Sequence, residues 1–317
     1  MRLRIWVGSE RQLLLGLWVA LVLGVSGCTS VPSANSFDTS SHLPAEVELT
    51  QIAFYPQTQD QCGPAALATV LAHAGVARSL EQLADDVYVP QRQGSLPLEM
   101  LGGARRAGVV PYVLKGQPQA LWQEVAAGHP VVVLQNLRWD WLPLWHYAVL
   151  VGYDQVTGTV TLRSGDEKRL TMSVTEFTQS WAKAKHWAFV ALPPDQLPAT
   201  ATAAEYVQAA ITLERVAPTQ AMQASQTALQ AWPDNLEARI ALGNGYYQQR
   251  NLLAAQTQYT LATVHHPNAA DAWNNLAQVL YETQQTEAAN AAIAQALALG
   301  GPRLDRYKLT ASEHPVR

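Results

Sequence analysis

Three patterns of apolar and polar positions follow one another along the chain. Near the start, Leu13 to Val25 is an apolar run without a charge, shorter than the roughly 20 residues that a membrane-spanning helix needs. Between residues 50 and 193, runs with helical spacing give way to runs of strand character. Ala65 to Leu71 predicts a helix that begins beside Cys62 and stops near Gly75. Pro64 suits its first turn, where the missing N–H is not needed. Ser79 and Gln82 form a capping box that opens a helix to about Tyr88. Ser95 predicts the cap of another helix, ending at Gly108, and Pro118 to Ala127 reads as a helix stopped by Gly128. Strands are expected at Val109–Lys115, Pro130–Asn136, His146–Tyr153, Thr159–Arg163, Arg169–Ser173 and His186–Leu192, with a helix near Val174–Trp181. Helices first and an antiparallel sheet afterwards predict an α+β domain.

The third pattern is a repeat. After Pro193-Pro194-Asp195 the chain turns rich in Ala and Gln, and Pro233 and Pro267 stand 34 residues apart. In that register Gly243 aligns with Ala277, Ala255 with Ala289, Tyr259 with Ile293 and Ala262 with Ala296. Small residues where two helices touch, larger ones behind and a closing proline resemble tetratricopeptide repeats. The resemblance implies about three repeats, 202–235, 236–269 and 270–303, near the minimum for a stable stack. Such stacks take up peptides or partner proteins, so it also implies a protein partner.

Composition narrows the chemistry. Lys plus Arg is 21 and Asp plus Glu is 25, a formal net charge of −4, so a basic nucleic-acid footprint is not expected. No metal-ligand spacing, phosphate loop or dinucleotide fingerprint occurs, and no cofactor is expected. Only two cysteines are present, Cys28 and Cys62, which excludes a disulfide scaffold.

Cys28 ends the first apolar run. Arg2, Arg4 and Arg11 precede that run, and Val25-Ser26-Gly27-Cys28 closes it. This resembles the export signal and lipobox of bacterial lipoproteins. The resemblance implies a signal peptide 1–27 and lipidation of Cys28, several acyl chains then holding the protein firmly on a membrane. With Thr29 next, it implies the outer membrane, facing the periplasm, in a bacterial cell envelope. Residues 28–49 read as a flexible tether.

Cys62 stands where a nucleophile is needed. Exposed N–H groups and the dipole at a helix N-terminus stabilise a thiolate. Gln57 lies five residues before it, and Cys62-Gly63-Pro64-Ala65-Ala66-Leu67-Ala68 is followed some eighty residues later by Trp145-His146-Tyr147-Ala148-Val149-Leu150-Val151-Gly152. These segments resemble the C39 and C39-like cysteine peptidases, a branch of the papain-like fold, over roughly residues 50–193. The resemblance implies an α+β papain-like cysteine peptidase domain over 50–193, then a linker 194–201, an all-α tetratricopeptide solenoid over 202–303 and a C-terminal tail 304–317. It implies Cys62 as nucleophile, His146 as general base and acid, Gln57 as oxyanion donor, and a peptide or protein as substrate. The acidic residue that orients the histidine in that family falls on Ser164; Asp166, two residues on, is the candidate in its place and Asp154 a poorer one. Two other functions stay open: a catalytically quiet scaffold for assembling an envelope complex, and an amidase or acyltransferase using the same cysteine and histidine.

Overall fold

The computed structural model describes residues 43–56 and 61–313. The export segment, Cys28 and Gln57 lie outside the described residues. Helix α1 (Cys62–His73) buries every residue from Gly63 to Leu71. A helix apolar on all sides is a core helix. Helix α2 (Leu80–Val87) has the expected capping box between Ser79 and Gln82. A small hairpin follows, β2 (Tyr88–Val89) against β3 (Gly94–Ser95), and then helix α3 (Pro97–Arg106). Ser95 does not cap α3, contrary to the sequence reading: the N-cap is Leu96, without a side-chain bond. Pro97 forces an extended residue before it, and Ser95 pairs with Tyr88 in the hairpin.

The main sheet runs β4 (Val110–Val113), β9 (Ala188–Leu192), β5 (Val131–Asn136), β6 (Trp145–Asp154), β7 (Thr159–Ser164) and β8 (Glu167–Ser173), with β1 (Glu46–Glu48) on the far end of β6. Every pairing is antiparallel. Side chains alternate across it as a strand period of two requires. Val132, Leu134, Tyr147 and Val149 pack with Leu67 and Leu71 of α1. Val131, Val133, Ala148 and Leu150 pack instead with Trp122 of helix α4 (Pro118–Ala126) and with Phe177 and Trp181 of helix α5 (Val174–Lys183). The sheet is thus the middle of three layers.

Strand β1 corrects the tether, whose last residues are part of the sheet. Glu46-Val47-Glu48 has one apolar residue and carries no signal of its own; what makes it a strand is Gly152. A Cβ at that position would lie 2.7 Å from the Val47 carbonyl, so only glycine lets β1 approach.

Beyond the sheet lie helices α6 (Ala203–Ile211), α7 (Pro218–Ala231), α8 (Leu236–Gln248), α9 (Leu252–His265), α10 (Ala270–Glu282), α11 (Thr286–Leu299) and α12 (Leu304–Glu313). Their starts repeat the sequence period, at 218, 252 and 286 for one set and 236 and 270 for the other. Small residues do stand at the helix contacts: a Cβ on Gly243 would meet the Tyr259 ring at 2.5 Å. The expected tail is in part helix α12, secured by buried Tyr307, whose hydroxyl donates to Asp271 at 2.9 Å. The expected linker 194–201 is tied down as well. The fully buried carboxylate of Glu124 accepts from the Ala199 and Thr200 amides and from the Thr200 hydroxyl, at 3.1, 2.8 and 2.6 Å. Tyr206, Val207 and Ala210 of α6 complete the core on the α4 side of the sheet. Sheet and first helices share one core, so the chain between them has little freedom.

Candidate active site

Cys62 is the first residue of α1 and is half-buried. The first turn of α1 contains no acidic residue, so no carboxylate of its own offsets the positive end of the helix dipole. The cysteine packs on the cluster that contains Tyr147. Burial first, and then the negative charge of a Cys62 thiolate, hold the Tyr147 phenol above its ordinary range. The Tyr147 hydroxyl donates to the Ser95 carbonyl at 3.2 Å, which ties β6 to the hairpin beside α1.

His146 is the next residue back along β6, at the same end of the sheet. Tyr147 faces α1, so His146 takes the alternate set of positions, with Gln135 on β5 and Ser164 on β7. Its Nε2 lies 2.8 Å from the Ser164 hydroxyl. Gln135 beside it donates to Ser180 of α5 at 2.7 Å. With Nε2 engaged, Nδ1 is the nitrogen left for chemistry; in the tautomer where Nε2–H donates to Ser164, Nδ1 carries the lone pair of a base. Burial lowers the imidazole pKa, and the neutral Ser164 hydroxyl does nothing to reverse that. The ring is therefore held in its neutral form at neutral pH.

Among the described residues, the imidazole's hydrogen-bond partner is Ser164, not Asp166. Asp166 is exposed in the turn after β7 and makes no bond to His146. The turn, with Gly165 at φ +58°, carries its side chain off the strand line. Asp154 is at the other end of β6 and is engaged locally, accepting from the Val156 and Thr157 amides and the Thr157 hydroxyl. The ring is oriented by Ser164, which stands where the resemblance implies an acid.

The residue after Cys62 must be glycine for a steric reason. A Cβ on Gly63 would lie 2.2 Å from the Ser95 hydroxyl oxygen and 2.6 Å from its Cβ. Gly63→Ala is expected to push the β2–β3 hairpin off α1 and to cost about 1–3 kcal/mol, read as a lower denaturation midpoint. Gly63→Ala with Ser95→Gly should recover most of it, and no recovery would refute the contact as the cause.

Residues 49–189 match the model of the Peptidase_C39 like family. That stretch is similar to C39-like peptidase domains. The match ends with the sheet and leaves the helical region uncovered. No curated protein matches the chain. Among solved structures, it is similar to a Bacillus anthracis protein presented as a C39-like peptidase, at 20% identity and TM-score 0.41, over 47% of this chain and 98% of that one. It is similar to the peptidase domain of Streptococcus ComA, a bifunctional ABC transporter of a quorum-sensing pathway, at 24% identity and TM-score 0.36, over 44% and 97%. A double-glycine-motif protease from an AMS/PCAT transporter, solved with its leader peptide, is similar at 22% identity and TM-score 0.34, over 45% and 91%.

Proposed function

We propose that this protein is an envelope-anchored cysteine peptidase of C39-like type, with Cys62 as nucleophile and His146 as base and acid. The observation that carries the reading is the imidazole fixed through Nε2 by Ser164, one residue along β6 from Tyr147, whose phenol feels the Cys62 charge at the start of α1. The match of residues 49–189 to the C39-like family supports it. Nδ1 of the neutral ring takes the thiol proton as sulfur attacks the peptide carbonyl, and a tetrahedral oxyanion forms. The Cys62 backbone N–H and the Gln57 amide are the donors proposed for that oxyanion, each worth about 2.7–4 kcal/mol of barrier. The imidazolium then protonates the leaving amine as the C–N bond breaks. Water, deprotonated by the same nitrogen, hydrolyses the thioester.

The anchor is lipid on Cys28, which sets the peptidase at the periplasmic face of the outer membrane. The 34-residue helix pairs act as tetratricopeptide repeats that recruit a substrate or a partner. The neutral Ser164 favours one rival, a quiet scaffold on the same fold. Alkylation separates the two. At pH 6, iodoacetamide is expected to modify Cys62 faster than a model thiol, and the wild type to cut a peptide library that Cys62→Ala leaves intact. A thiol no faster than the model, with no turnover, would establish the scaffold instead.

A further inference from the structure

Fourteen large hydrophobic side chains are exposed among the described residues, and eight of them lie in two short segments flanking the candidate site. Leu96 and Leu98 follow Ser95, beside the start of α1. Leu137, Trp139, Trp141, Leu142, Leu144 and Trp145 form the β5–β6 hairpin, which runs directly into His146. Surplus apolar surface gathered in one place marks an interaction site.

This hairpin is built, not loose. The buried Asn136 side chain accepts from the Arg138 and Leu144 amides at 3.1 and 2.9 Å, closing its base. Leu137 N–H donates to the Leu144 carbonyl, and a bridge joins Trp139 to Leu142. Lys183 of α5 donates to the Arg138 carbonyl at 2.8 Å. Held this way, Trp139 and Trp141 stack at 5.6 Å and 9° between planes while remaining 61% and 78% exposed. Two large rings preorganised in water lose little entropy on binding.

We infer that this hairpin is the leaving-group subsite of the peptidase and selects polypeptides with aromatic or large aliphatic side chains just C-terminal to the cut. The inference rests on the reading of His146 as the acid for the leaving amine. A group that protonates the departing nitrogen must sit on the leaving side of the scissile bond, and the hairpin is continuous with that group. A bilayer is the other surface that such rings suit, and Asp140, between the two tryptophans at the exposed tip, disfavours it.

The test maps new N-termini produced from a denatured proteome-derived peptide library. Aromatic and large aliphatic residues are expected to be enriched about tenfold or more in the first three positions after the cut. Trp139→Ala/Trp141→Ala should abolish the enrichment with the melting temperature unchanged; the same preference in that variant would overturn the inference. If the wild type cuts nothing, the peptidase reading fails separately, and binding decides the subsite. The full chain with Cys62→Ala and Cys28→Ser is titrated with an unstructured dodecapeptide rich in Leu and Phe, and with its Ser-substituted counterpart. A tryptophan-dependent preference of about tenfold supports the subsite, and equal affinities overturn it. Tryptophan-dependent binding of the same protein to phosphatidylglycerol–phosphatidylcholine vesicles, without a peptide preference, overturns it in favour of a lipid surface.

Discussion

Replacing His146 by alanine is expected to reduce peptide turnover by about 10²–10⁴-fold, the usual worth of a positioned acid and base. On the proposed reading, the substitution removes the group that accepts the thiol proton and delivers it to the leaving amine. It also removes a half-buried ring bonded to Ser164, so a loss of activity alone would not separate chemistry from structure. His146→Gln makes the separation: its amide can still meet the Ser164 hydroxyl but cannot shuttle a proton. If His146 is the base, glutamine restores the denaturation midpoint and leaves turnover as low as alanine does. Recovery of turnover with glutamine would reduce His146 to a packing residue. The pH dependence supplies a second reading. Burial lowers the imidazole pKa, so His146 favours the folded state above the ordinary histidine pKa near 6.5, and that contribution is lost as pH falls through the folded value. Alanine should therefore flatten the acid side of the stability profile, a change visible in denaturant midpoints between pH 7 and 4.5.

Most of the sheet was legible because its strands are long apolar runs between Gly and Pro, and because strands covered on both faces need no alternation. Helix α1 was legible through its alanines, and helix α2 through the capping box at Ser79. What escaped was long-range. Glu46–Glu48 becomes a strand only because Gly152, a hundred residues away, leaves room for it. Ser95 looked like a cap because the residues after it favour helix, yet the proline rule and pairing with Tyr88 outweigh that preference. Cys62 and His146, the pair proposed for the site, could be picked from the order of motifs. The ring's partner could not be settled that way, since the sequence offered Ser164 and Asp166 two positions apart, and only the φ-positive turn at Gly165 shows which one leaves the strand. That Trp139 and Trp141 stay outside the core depends on Asn136 closing the loop beneath them.

Ser164 gives the sharpest discrimination between an active site and a quiet one, because the substitution should raise reactivity instead of removing it. In the wild type a neutral hydroxyl 2.8 Å from Nε2 orients the ring, while burial opposes its protonation. The neutral imidazole is then the resting form of the ring, and the helix N-terminus favours a thiolate at its first residue. Ser164→Asp sets a carboxylate against Nε2–H. An opposite charge at that distance raises an imidazolium pKa by about 1–3 units. If Cys62 and His146 exchange one proton, as proposed, the same shift moves the pair toward thiolate and imidazolium by about 10–10³-fold. Alkylation of Cys62 at pH 5.5 should accelerate by at least about tenfold, and the acid limb of its pH profile should move down by about one unit or more. Ser164→Asn fills the same space and keeps a hydrogen bond without the charge, so its profile should follow the wild type. Part of the gain is offset by placing a charge at a buried strand end, although the exposed turn at Asp166 next to it leaves water within reach. An aspartate variant whose thiol reacts no faster than the asparagine variant would mean that His146 does not sense Cys62, and the peptidase reading would fall with it.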